Sequence, residues 1–170
     1  MRHSSKLSLA VLALSLIGTA AQAQSNNAAV TATASVQQPI NVVAGQSLNF
    51  GNVFPGVNKS ILATDLTNAG RWDVTGQAST PVTLSVVTPA ALNCATPGTC
   101  GASTLPIGAF TGQYNTTNAA GGSSFTVATG ANPSLSGSGL LFVWVGGQVT
   151  PAVNQAAGTY TNTITLTVVY

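Results

Sequence analysis

The 170-residue sequence holds four basic and two acidic side chains and a single histidine, while 45% of its residues are hydrophobic. So little charge leaves no basic patch for phosphates, which argues against nucleic-acid binding and gives an anionic lipid surface nothing to attract. It also removes most catalytic chemistry: the one histidine is His3, there is no Glu, and beyond residue 23 the charged groups are Lys59, Asp65, Arg71 and Asp73.

The chain begins with a basic stretch, Arg2 and Lys6. An apolar run follows from Leu7 to Gly18, and then Ala21, Gln22 and Ala23. This is the three-part pattern of a secretory signal peptide, with cleavage expected between Ala23 and Gln24. The run is shorter than the ~20 residues that cross a bilayer, so no stable membrane anchor is expected. Removing residues 1–23 from 170 leaves 147 residues, suited to one domain with its own core. Two of the four basic residues leave with the leader, so two remain against two acids and the net charge is zero. A neutral surface favours association. The expected organisation is a leader over 1–23, an extension or first strand over 24–38, and a domain over 39–170.

After the leader, Ala28, Val30, Ala32, Ala34 and Val36 alternate with Ala29, Thr31, Thr33, Ser35 and Gln37, the period of a two-faced strand. Pro39 interrupts it, and a proline marks an edge, a bulge or a change of sheet. The pattern resumes to complete a run over 28–43. Further strand-like runs lie at 47–53, 60–66, 72–77, 82–87, 105–111, 124–128, 140–145 and 159–170, separated by Gly, Pro, Asn and Ser turn signals. Leu48 and Phe50 share a face, as do Val82, Leu84 and Val86. Residues 140–145, "LLFVWV", are apolar on both faces and should be central. The stretch 111–139 reads as long surface loops around one short strand. Many short strands without helical periodicity predict an all-β antiparallel sandwich or barrel.

Cys94 and Cys100 flank Pro97-Gly98, a turn signal, and in an exported chain they are expected to form a disulfide. No metal site, cofactor or catalytic residue is expected, because general acid–base catalysis draws on groups this chain lacks and a Ser-His-Asp arrangement needs a histidine. Asp65 and Asp73 lie near Lys59 and Arg71 and read as a solvated or locally paired cluster. Trp144 reads as core. Tyr114, placed in a polar loop, is the candidate contact for a glycan. The final run sets Tyr160, Asn162, Ile164, Leu166, Val168 and Tyr170 on one face and four threonines on the other.

Three segments, "LNFGNVFPG" (Leu48–Gly56), "WDVTGQASTPVTLSV" (Trp72–Val86) and "VWVGGQVTPAVNQAAGTYTNTITLTVVY" (Val143–Tyr170), resemble a bacterial exported family of unknown function. Their order is also similar to the spore-coat-U-like pilins of archaic chaperone–usher systems. That resemblance implies an immunoglobulin-like sandwich lacking one strand, a periplasmic chaperone and an usher as partners, and self-association by β-strand addition. It implies that Tyr160, Ile164, Leu166, Val168 and Tyr170 line the groove and that Ala28, Val30, Ala32, Ala34 and Val36 of a neighbour insert there. A rival expectation makes residues 28–43 the domain's own first strand, completing a sandwich that acts as an adhesin or glycan-binding module.

Overall fold

The computed structural model describes residues 26–170; the expected leader and its cleavage point between Ala23 and Gln24 lie outside them. The chain divides into two units at Ser35/Val36. In the first, residues 26–35 are exposed and carry neither helix nor strand. The expected run 28–43 is therefore strand only over its last three residues. Alternating small and hydroxyl side chains suit a pleated surface, but a strand must pair its N–H and C=O groups, and this segment has no ladder partner among the described residues.

The second unit contains, in order, β1 (Asn41–Gln46), β2 (Lys59–Ile61), β3 (Gly70–Thr75), β4 (Thr83–Val87), β5 (Ala91–Cys94), the single-turn α1 (Pro97–Cys100), β6 (Thr104–Asn115), β7 (Ser123–Phe125), β8 (Leu140–Val149), β9 (Tyr160–Thr161) and β10 (Thr165–Val169). One sheet runs β1-β3-β8-β6-β5-β9, with β2 added on β8 and β7 on β6; a second sheet is β10-β4. Every pairing is antiparallel. The fold is all-β, and its two facing layers are consistent with an immunoglobulin-like sandwich.

β8 is central, as its two apolar faces require. Leu141 and Val143 on its inner face join Val74 of β3 in a core closed by Leu84 and Leu166 of the small sheet, together with Val82 and Leu135. On its outer face Trp144 is fully buried against Ile61, Ala63 and Ala69. Burying side chains of this size contributes roughly 1.5–3 kcal/mol each.

Several boundaries differ from the expectation. Residues 47–53 form no strand: Asn49 Oδ1 accepts the Gly51 N–H at 2.8 Å and turns the chain, although Leu48 and Phe50 still pack inward. Residues 60–66 keep a strand only to Ile61, because Asp65 then closes a turn in which its carbonyl accepts the Ala69 N–H at 2.8 Å. β6 extends to Asn115 where a loop was expected, since β7 and β8 hold its two edges. Gly146-Gly147, which follows the expected run 140–145 as one of its glycine turn signals, lies inside β8. A Cβ on Gly146 would collide with the Ile61 carbonyl, so glycine there permits close backbone approach and not a turn. The final run divides in two. Asn162 Nδ2 donates to the Ala91 carbonyl at 2.7 Å and Asn162 Oδ1 accepts the Thr163 N–H, so the chain leaves β5 after β9 and crosses to pair with β4.

Candidate functional site

The small sheet covers only part of the large sheet's inner face. Beyond it, the apolar floor continues through Val145 and Val149 of β8, Leu105 and Ile107 of β6, Leu92 of β5 and Trp72 of β3, with no strand above among the described residues. This floor is the base of an open groove of about 1080 Å³. One wall is the segment from Ala44 to Pro55, which brings Leu48, Phe50 and Val53 against Leu105, Ile107 and Val149. The other wall runs from Gln155 to Ile164. No charged side chain lines it. Such a surface suits an uncharged, extended apolar segment, and it is far larger than a scattered exposed side chain would explain.

The backbone edges around the groove are also unfinished. Among the described residues, β1, whose Ala44 and Gln46 line the groove, is paired on one side only, with β3, and β9, whose Tyr160 and Thr161 line it, on one side only, with β5; β10, outside the lining, pairs with β4. An unpaired edge presents a row of N–H and C=O groups ready to accept another strand.

The five residues expected to line the groove fall in two groups. Tyr160 and Ile164 line it. Tyr160 is held by its hydroxyl, which donates to the Ala156 carbonyl at 2.7 Å and accepts from Gln155 Nε2 at 2.8 Å. Leu166 and Val168 belong instead to the core between the sheets, alternating with exposed Thr165 and Thr167. Tyr170 acts as a clasp. Its hydroxyl accepts the Gln77 N–H at 2.7 Å and donates to the Gln38 carbonyl, linking the end of β10 to the residues just before β1. Of the five apolar residues in the N-terminal segment, all are exposed, and Val30 and Val36 reach 95%. Sequence reasoning missed Leu92, Ile107 and Val149 as groove residues. The apolar alternation of β6 was legible, but nothing in it tells a covered face from an open one.

The cysteines form the expected disulfide, with Cα atoms 5.9 Å apart. It ties β5 to α1, and Ala95 N–H donates to the Thr159 carbonyl beside it, which steadies the approach to β9.

The four charged side chains beyond residue 23 have local partners. Arg71 Nε lies 2.7 Å from Asp73 Oδ1. Lys59 Nζ donates to the Asn52 carbonyl at 3.1 Å. Asp65 accepts from Asn68 Nδ2 and from the N–H groups of Thr67 and Asn68, and the Asn68 side-chain bond leads in holding its carboxyl below the usual value. Tyr114 is not in a loop, as expected, but in β6, half-buried and tilted against Phe125 at 6.1 Å. Its ring packs on the core, which leaves less of it for a sugar face.

No family model and no curated protein matches the chain. A solved structure that does match is a chain of the CsuC–CsuE chaperone–tip adhesion subunit pre-assembly complex from the archaic chaperone–usher Csu pili of Acinetobacter baumannii. The TM-score is 0.39 at 16% identity, covering 80% of this chain and 40% of that one. This chain therefore spans two fifths of the length of the chain it matches, and a likeness so distant carries nothing about activity.

Proposed function

We propose that this chain is a non-enzymatic, exported, pilin-like structural subunit that assembles at the cell surface by β-strand addition. The observation that carries the reading is the open, uncharged groove of about 1080 Å³, with an apolar floor and polar walls, beside two unpaired sheet edges. An added strand gains affinity from main-chain hydrogen bonds, and its alternate side chains enter the groove. The segment from Ala28 to Val36 has the matching alternation, is exposed, and forms no ladder of its own. Val30 and Val36 would each bring roughly 1.5–3 kcal/mol on burial, and the small Ala28, Ala32 and Ala34 would fit the narrower positions. A periplasmic chaperone supplying a temporary strand, and an usher, are the partners such a route requires.

The test compares the chain beginning at Gln24 with one lacking residues 24–35, by size exclusion and negative-stain microscopy. The expected result is oligomers from the longer form only, with a peptide of residues 24–37 binding the shorter one. Two equally monomeric forms that ignore the peptide would overturn the proposal.

A further inference from the structure

A second hollow, of about 330 Å³, lies outside the groove and shares none of its lining residues. It forms where β6 meets β7 and the segment that follows β2. The register of β6 on β8 slips between Gly108 and Thr111, and Ala109 takes a φ of 46°, a left-handed conformation that a non-glycine residue adopts only under constraint. Bulges of this kind re-aim side chains, and here Phe110 borders the hollow. Phe125 of β7 borders it as well, and its ring lies over Gly112. A Cβ at that glycine would sit 2.6 Å from two of the ring atoms, so only glycine lets the ring rest there. Gln113 borders the same hollow and is only 3% exposed, and among the described residues its Oε1 has no hydrogen-bond partner. Thr111 Oγ1 accepts the Ala63 N–H at 3.0 Å, which leaves its own proton to donate. Thr64, Ser124 and Thr126 are exposed and add hydroxyls at the rim. No charged side chain lines the hollow.

We propose that this hollow is a binding site for one neutral hexose ring, free in solution or at the end of a glycan chain. A pyranose ring has an apolar C–H face and a rim of hydroxyls. The C–H face suits the electron-rich faces of Phe110 and Phe125. Two adjacent hydroxyls match a carboxamide, one donating to Gln113 Oε1 and the next accepting from Gln113 Nε2. A buried acceptor is costly while unpartnered, so a donor delivered to Oε1 recovers that cost and orients the sugar. The terminal torsion of a Gln side chain is broad, which lets the carboxamide turn toward the ring. Thr111 and the rim hydroxyls serve the remaining hydroxyls of the sugar. The volume is at the lower end for ligand pockets and suits a single ring, not an extended chain. Charged sugars and phosphates are disfavoured, because their ions would shed water and meet no opposite charge. The site does not depend on strand addition, since it lies outside the groove.

Nitrogen-edited NMR of the full chain reads the Gln113 side-chain amide directly. The probes are glucose, galactose and mannose, each free and as its methyl glycoside, with glucuronate and N-methylacetamide for comparison. At least one neutral hexose is expected to shift the Gln113 side-chain amide together with the Thr111 and Ser124 backbone amides, saturably, with a Kd on the order of 1 mM. Glucuronate should shift none of them. Gln113→Met keeps the length and removes the carboxamide, and should weaken binding at least about tenfold, read by the Thr111 and Ser124 amides. Because Gln113 is buried, Ser124→Trp at an exposed position of β7 is the second variant. It fills the hollow and should abolish binding with Tm unchanged. A methyl glycoside that binds as well as its free sugar supports a chain end, and binding of the free sugar alone supports a soluble one. No saturable shift with any hexose would overturn the proposal. So would shifts confined to groove residues such as Leu105 and Tyr160, or shifts that survive both variants. A response to N-methylacetamide alone would make the occupant a peptide amide and overturn it too.

Discussion

Replacing Tyr170 by Phe removes one hydroxyl and keeps the ring. That hydroxyl makes two hydrogen bonds, accepting from Gln77 N–H and donating to the Gln38 carbonyl. A hydrogen bond contributes roughly 0.5–1.5 kcal/mol net. Tyr170 is 45% exposed, so water competes for the same partners and the lower figure applies to each. The sum is about 1 kcal/mol. For a domain the size of Val36–Tyr170 this corresponds to a fall of about 3–4 °C in Tm. Thermal unfolding by circular dichroism reads the fall, and hydrogen exchange localises it. The Gln77 amide should exchange about fivefold faster, with amides of β8 changed only by the global loss. A Tm within about 1 °C of the parent together with unchanged Gln77 exchange would refute the clasp.

Gly146→Ala should destabilise by about 3 kcal/mol, because the new methyl meets the backbone of Ile61, Leu62 and Ala63, which cannot swing aside as a side chain would. Gly108→Ala, also in a strand but with open space around it, is the control and should cost about 1 kcal/mol at most in urea unfolding. The denatured, unreduced protein should show no titratable thiol, and replacing Cys94 and Cys100 together by Ser should cost about 2 kcal/mol, as expected for so short a loop. Asp65 has its carboxyl pKa lowered below the ordinary 3.8 by Asn68 and the neighbouring backbone donors. A lowered folded value stabilises the turn above the unfolded pKa, and that contribution is lost as pH falls through the folded one. Exchange at the Thr67 and Asn68 amides should therefore quicken below pH 3.8, and Asp65→Asn should remove the pH dependence there.

Much of the fold was legible in strands whose residues report their own surroundings. β8 announced its central place through apolar side chains on both faces, and Val143 and Trp144, on opposite faces, are both fully buried. β4 and β10 showed period-two alternation, and their apolar sides face the core. Elements with little side-chain signal were missed. β5 is four residues long and half polar, and it exists because β6 and β9 flank it. The later half of β6, with Gly, Gln and Asn, is strand because its neighbours supply the ladder. The glycine pair in β8 looked like punctuation and is instead a point of close approach.

The candidate site divides along the same line. Its chemistry was readable: beyond residue 23 two basic side chains balance two acidic ones and there is no histidine or glutamate, which leaves apolar contact and backbone pairing as the means of recognition. Tyr160 and Ile164, which the resemblance implied as groove residues, border the cavity. What the sequence could not contain is that the inner face of β6 and β8 has no strand above part of its length. Alternation records which side of a strand is apolar, and the same pattern serves a covered face or an open one. Whether a second layer reaches that far depends on where the chain crosses between sheets at Asn162, and on how far β4 and β10 extend. Those are tertiary facts, decided by pairing between residues distant in sequence, and they turn a strand pattern into a groove.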